Sequence, residues 1–575
     1  MKTLYIWLSS LLLLLGCILI VPHGDFREVG AVPRFWLGIS VISLGFLLSW
    51  GLSVYTRYPA EVSNSKLGIS QQAKRINNRI NNNSIKTRLW QGVYKGFTKR
   101  ISEKFFDTEF RPPSPPNLGG TRIQFDGKSP PKLGDLGGFN VANDTSQTTS
   151  KSLSIKYLRK LKTQHSGLNF WSTTILSRLL LLPMYPGDDV WRYLWEGYIQ
   201  TLGFSPYHLP PNATELIPYH TEWWSLINHP TVSAIYPPVA QLGFRMLALI
   251  DLKVWLFKIA FILADLLICW LLSRRFGYHQ AIFYAWNPLI IYSFAGGAHY
   301  DSWFVFPLVA AWLVFDRKTE SLRQTEITEI EEKLEIGTVA EKSSFPNPLM
   351  SSSDHSLTWW HWIASALLVG ISMAVKWMSL PILGFLTWQA FRKVGVKLAI
   401  VVLLCGFLPF GITALQFCSS GECPLIPTGS VFVSHGRSAE LIPYIVSEYW
   451  EPSRWVNWIY AFPLGLTVSW LILRSRNFQQ FTEWYFFSLL ILSPIIHAWY
   501  FTWIIPFAVP YRNLGVRLVS ISAFIYFVLQ HRMALGNYSW YLTPQERWCL
   551  WLPFVLGWLW THYRNPNVAL NQNSD

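Results

Sequence analysis

The stretch "TLYIWLSSLLLLLGCILIV", Thr3 to Val21, is apolar almost without interruption. As a helix rising about 1.5 Å per residue it comes close to the roughly 30 Å of a bilayer core. Two readings compete for it. It follows Lys2 and contains "LLGC" (Leu14–Cys17), which resembles a lipoprotein cleavage site. But the apolar run continues past Cys17 to Val21, and comparable runs recur as far as Thr561, so a retained first span is expected. That recurrence decides the fold class: an all-α, polytopic transmembrane helical bundle, in which each helix satisfies its own backbone polar groups. A set of soluble domains would have no use for so many such runs.

The charge is local. The 575 residues carry a formal +15, and Tyr55–Gly167 alone holds 20 Lys plus Arg against 7 Asp plus Glu, a local +13. This tract is rich in Asn, Pro, Gly and Ser, and reads as a flexible insert. It lies between spans and has no stacking motif, so the positive-inside rule accounts for it and no nucleic-acid partner is expected. Placing it in the cytoplasm puts "SRRFG" (Ser273–Gly277), "DRK" (Asp316–Lys318), "FRKVGVK" (Phe391–Lys397), "RSR" (Arg474–Arg476) and "YRNLGVR" (Tyr511–Arg517) inside as well. The alternation works if Tyr236–Ile250 is an amphipathic helix at the outer surface, not a span, and it then counts roughly 14 spans. Five parts follow: an N-terminal hairpin (1–54), the basic insert (55–167), a core with an acidic outer loop (168–316), a second polar cytoplasmic insert (317–357) and C-terminal helices that complete the core (358–575). Of six cysteines, none has metal-ligand spacing. Cys418 and Cys423 are a candidate disulfide if their loop faces an oxidising compartment, or else two free thiols.

On this map the unusual polar residues gather outside. Asp188, Asp189, Arg192 and Glu196 follow the third span (Phe170–Met184), and His229 and Tyr236 sit in "NHPTVSAIYPPV". His299 and Asp301 lie in "GGAHYDSW", Lys376 in "MAVKWMSLP", His435, Arg437 and Glu440 in "VSHGRSAEL", and His497, Trp499 and Tyr500 in "SPIIHAWYFTW". Ionisable groups near membrane depth are costly and face a cavity or a partner. Each also has a plainer reading. One Asp could cap a helix starting at Val190, Arg192 could simply pair with Glu196 four residues on, and a lone His at a span end could be an interfacial hydrogen-bonder. Their convergence on one face favours chemistry. At an outer leaflet without nucleotide sugars, a sugar donor has to arrive on lipid; its phosphate then needs cations and the acceptor hydroxyl needs a carboxylate base.

Four blocks carry a resemblance: "GDDVWRYLWEGYIQTLGFSPY" (187–207), "INHPTVSAIYPPVAQLGF" (227–244), "WNPLIIYSFAGGAHYDSW" (286–303) and "LSPIIHAWYFTWIIPFAV" (492–509). In this order they resemble the bacterial polyprenyl-phosphate-sugar-dependent glycosyltransferases of the GT-C superfamily, especially the mannosyltransferase-like branch. The resemblance implies a GT-C bundle with interfacial helices on its outer face, a multi-pass place in the plasma (inner) membrane and an extracytoplasmic active site. It implies a polyprenyl-phosphate sugar donor, with mannose the expected sugar, an acceptor that is a lipid, glycan or protein, and inversion at the anomeric carbon. It places the general base at Asp189 or Asp188, with Asp189 preferred. Arg192 then positions the acidic loop or meets the phosphate, and Glu196 stands where many relatives have the Asp of "WDG". His299 and Asp301 line the cavity as "GH.D", and His497 fits "SP..H.WY", with Ala498 where relatives often have Pro. His229, Tyr236, Lys376, His435, Arg437, Trp499 and Tyr500 complete the expected substrate-binding set. No cofactor is expected, nor a metal, although adjacent aspartates can hold Mg²⁺ or Mn²⁺. The competing functions are a flippase or transporter of a lipid-linked saccharide, and a ligase moving whole glycans.

Overall fold

A computed structural model describes residues 2–55, 167–316, 359–418, 425 and 434–564. Nearly all of the first insert, the whole of the second, and Cys423 lie outside the described residues. The chain divides into two units, Met1–Ser53 with Thr163–Asp575, and Val54–Lys162. All that follows concerns the first.

The described elements are helices, with no strand among the described residues, in keeping with the expected all-α class. Leu4–His23, Ala31–Trp50, Val254–Phe276, Val396–Ala414 and Leu514–Ala534 are long and apolar enough to cross a membrane. Several other helices that an expectation of roughly fourteen spans would include are shorter, among them Ser302–Phe315 and Trp359–Val375, while Pro544–Arg564 has the length, at 21 residues, but is less apolar. Exposed leucines and tryptophans along these helices, such as Leu404 and Trp470, would be costly in water and are at home in lipid. Between helices the packing is by close approach of backbone. A Cβ on Gly370 would lie 2.1 Å from the carbonyl oxygen of Gly406, so Trp359–Val375 meets the backbone of Val396–Ala414 where it can carry no side chain.

Buried charges tie the helices together and fix where the acidic loop begins. In the helix at 167–181, Arg178 pairs with Asp265 of Val254–Phe276 at 2.9 Å, both fully buried. One turn into that same partner helix, Lys258 donates to the carbonyls of Leu181 (3.3 Å), Leu182 (3.2 Å) and Met184 (2.5 Å). These carbonyls cluster where the helix at 167–181 ends, and a cation there suits the helix dipole. The chain therefore leaves that helix toward Asp188 from a fixed point.

The bundle has two chemically different ends. Ser302–Phe315 starts beside Asp301, which is bonded to Lys376, and ends at Asp316, which lies within reach of the charges of Arg275 and Lys393. Arg512 donates to the carbonyl of His279, so the basic segments around 275, 393 and 512 gather at one end. Fourteen helical residues, about 21 Å, separate Asp301 from that basic end.

Candidate active site

The acidic helix, Asp189–Thr201, opens one residue before the expected start. It is held against Pro238–Ile250, where a Cβ on Gly197 would meet the Phe244 carbonyl at 2.5 Å and Tyr193 stacks on Phe244 at 4.9 Å. Pro238–Ile250 has 13 residues, about 20 Å, too short for a bilayer core, as expected for a helix that is not a span.

The capping reading of the acid pair is corrected. Asp188 stands at the N-cap position, but its backbone is already helical (φ −66, ψ −29) instead of extended, so the carboxylate is not turned onto the first turn and makes no cap bond. Both acids turn instead to Asn228, whose amide donates to Asp189 Oδ1 at 2.8 Å and reaches Asp188 Oδ2 at 3.5 Å. On its other oxygen Asp189 meets His299 Nδ1 at 3.5 Å. The His299 ring is stacked on Trp499 (3.7 Å between centroids), and His497 stacks on the same indole (4.6 Å, 3° between planes). His497 Nδ1 in turn lies 2.6 Å from the Tyr526 hydroxyl. Acid, imidazole, indole, imidazole and phenol thus form one continuous array.

The neighbouring residues set this array by strained backbone. His229 (φ 46) and Ala298 (φ 61) are two of the three non-glycine residues with positive φ among the described residues. They adjoin Asn228 and His299, the two groups that hold Asp189. Such conformations cost on the order of 1–3 kcal/mol each and persist where the surroundings enforce them.

Electrostatics separates the two acids. Burial pushes Asp189 up, but the neighbouring His299, with help from His497 and Asn228, outweighs it and holds the carboxyl at about 2. Burial and the adjacent Asp189 push Asp188 up to about 6. Because Asp188 is open to solvent, the burial contribution is weakened, and repulsion by Asp189 is the firmer cause. Burial holds His497 down at about 4, so it stays neutral at physiological pH. One consequence is measurable. As pH falls through about 6, Asp188 takes up a proton and the like charge that keeps Asp189 basic disappears. Turnover should decline below about pH 6, and Asp188→Asn should flatten that limb; a limb that persists in the variant would assign it elsewhere.

A second cluster adjoins the first. Lys376 Nζ bonds Asp301 Oδ1 at 2.5 Å and lies over the rings of Tyr300, Tyr500 and Trp503 at 5.2, 5.0 and 4.7 Å. Trp503 Nε1 donates to the same Asp301 oxygen at 2.7 Å. Tyr236 packs edge-on against Tyr193 and Tyr300, joining the two clusters.

The remaining expected residues are placed as follows. Arg192 pairs with Glu196 at 2.5 Å and donates to the carbonyls of Asn228, His229 and Val232. It thereby clamps the 228–232 loop onto the acidic helix, and Glu196 is further engaged by Gln241 at 2.5 Å. Arg437 donates to the Ser453 carbonyl and sits over Tyr460. Glu440 meets Arg547 at 3.4 Å, and His435 is exposed. This segment still touches the site, because Ser438 Oγ bonds both the N–H and the carbonyl of Ile496, next to His497. Sequence reasoning missed Asn228, Tyr300, Trp503 and Tyr526. Asn228 was hidden inside a turn-like Asn-His-Pro run, and the aromatic residues read as membrane-boundary residues.

Residues 157–392 match the family model described as alpha-(1->6)-mannopyranosyltransferase, N-terminal domain. The matched stretch, which holds the acid pair, Asn228, His299, Asp301 and Lys376, is similar to GT-C-type mannosyltransferases. The protein is a membrane glycosyltransferase that moves mannose from a sugar donor to an acceptor. No curated protein and no solved structure matches the chain.

Proposed function

We propose that the protein transfers mannose from a polyprenyl-phosphate donor to an acceptor hydroxyl on the extracytoplasmic face of the plasma membrane, with Asp189 as general base. The observation that carries this reading is an ionised Asp189 fixed by Asn228 and His299 at the bundle end opposite the basic segments. The basic end belongs in the cytoplasm by the positive-inside rule, which leaves the acid pair outside. Cys418 supports the same orientation: it is disulfide-bonded, and the adjacent Phe417 packs on Tyr207, just beyond the acidic helix.

The acceptor hydroxyl gives its proton to Asp189 as its oxygen bonds to the anomeric carbon; the bond from that carbon to phosphate breaks, and the phosphate leaves with the prenyl chain. Lys376, held by Asp301 yet still partly exposed, offers positive charge as the leaving phosphate gains negative charge. The neutral rings of Trp499, Tyr500 and Tyr236 supply the walls of the sugar site. The reaction is proposed to need no metal, so EDTA treatment should leave turnover unchanged; loss restored by Mg²⁺ or Mn²⁺ would overturn that part. Sidedness is tested in sealed vesicles of one orientation. Label from polyprenyl-phosphate mannose should reach acceptor only when both are on the face bearing Asp189, and transfer from the basic face alone would refute the orientation.

A further inference from the structure

The N-terminal hairpin, Lys2–Ile20 and Ala31–Tyr55, precedes the matched stretch, and nothing in the sequence gives it a task. Its connecting loop rests on the acidic loop. A Cβ on Gly24 would stand 2.7 Å from the Tyr185 carbonyl oxygen and 2.9 Å from the Tyr185 nitrogen, so here backbone lies against backbone only three residues before Asp188. The Arg27 guanidinium lies 4.8 Å over the Tyr185 ring. Asp25 aims it there through bonds of 2.8 and 2.5 Å.

The same hairpin reaches the other two arms of the site. Phe26 packs on Phe527 at 5.1 Å, and Phe35 packs on Tyr292, Phe524 and Phe527 at 5.0, 5.8 and 5.4 Å. Trp36 Nε1 donates to the Phe524 carbonyl at 2.9 Å. Tyr292 opens the turn that runs into His299, while Phe524 and Phe527 flank Tyr526, the hydroxyl partner of His497. One hairpin therefore braces the segments that carry Asp189 and His299, in the matched stretch, and the segment beyond it that carries Tyr526, the hydroxyl partner of His497.

We infer that the hairpin loop Gly24–Arg27 is a positioning element of the transferase site, which keeps Tyr185–Asp189 in register with His299 and His497. This rests on the reading of Asp189 as the base. Gly24 and Arg27 touch no reacting atom; they act through the acidic loop, and a displacement of about 1 Å there is enough to cost up to about 100-fold in rate.

The test uses the full-length protein with Gly24→Val, Arg27→Ala and Arg27→Lys, beside Asp189→Asn. For each, kcat and KM for polyprenyl-phosphate mannose are measured together with thermal midpoint and backbone hydrogen exchange at 184–191. Gly24→Val and Arg27→Ala should lower kcat roughly 10- to 100-fold, leave KM for the donor unchanged and speed exchange in that segment, while Arg27→Lys restores part of the rate. Wild-type kcat in Arg27→Ala would overturn the inference, and so would faster exchange throughout the bundle with a lower midpoint, which marks a merely structural contact. Should Gly24→Val not fold, the exposed Arg27 still decides the matter. Activity in Asp189→Asn would refute the base assignment instead, and exchange at 184–191 would then judge the loop by itself, unchanged exchange counting against it.

Discussion

Asp189→Asn should lower mannosyl transfer by at least about 100-fold, the lower range for loss of a general base, with thermal stability near that of the wild type. The substitution keeps the shape of the side chain and an oxygen to accept from Asn228, but it removes the proposed acceptor of the proton. Stability is spared because Asp189 makes no helix cap and retains 21% side-chain exposure. Asp188→Asn should cost less. It leaves Asp189 in place and acts through charge, making Asp189 a still weaker base and removing the limb near pH 6. Equal losses in the two variants would mean that the acids work as one unit; a larger loss at Asp188 would exchange their roles.

Lys376→Met should be the most destabilising single change near the site, at about 3–5 kcal/mol, the usual range for stranding one member of a buried ion pair. Asp301 is 1% exposed, and without Lys376 it keeps the indole N–H of Trp503 as a side-chain donor to Oδ1, while Oδ2 already lacks one. The combination Lys376→Met with Asp301→Asn should recover much of the stability, since no buried charge is then left alone. It should not recover transfer, because the cation proposed to face the leaving phosphate is still missing. Thermal unfolding in detergent checks the first part and turnover the second. An unaltered midpoint in Lys376→Met would show that the pair is solvated in the working protein.

The fold class and the acidic motif were legible in the sequence because both depend on local pattern. Apolar runs reveal helices of membrane length, and Asp188 with Asp189 follows one of them directly. Partners brought together by packing were not legible. Asn228 lies 39 residues from the acid it holds, Tyr526 lies 29 residues from His497, and neither stands in a pattern that declares its role. Arg192 illustrates the reverse case. Its charge invited a phosphate, yet the fold turns its guanidinium toward Glu196 and three carbonyls of the 228–232 loop. The capping reading of Asp188 failed for a similar reason, because residue type suggests a cap but only the backbone angle decides whether the side chain can reach one.

The most direct test supplies the purified protein with radiolabelled polyprenyl-phosphate mannose and a crude membrane glycolipid acceptor, beside Asp189→Asn. Label passing to the acceptor with the wild type, and not with the variant, is the predicted result. Intact donor crossing a bilayer with no label transferred would contradict the account and identify a carrier of lipid-linked sugar.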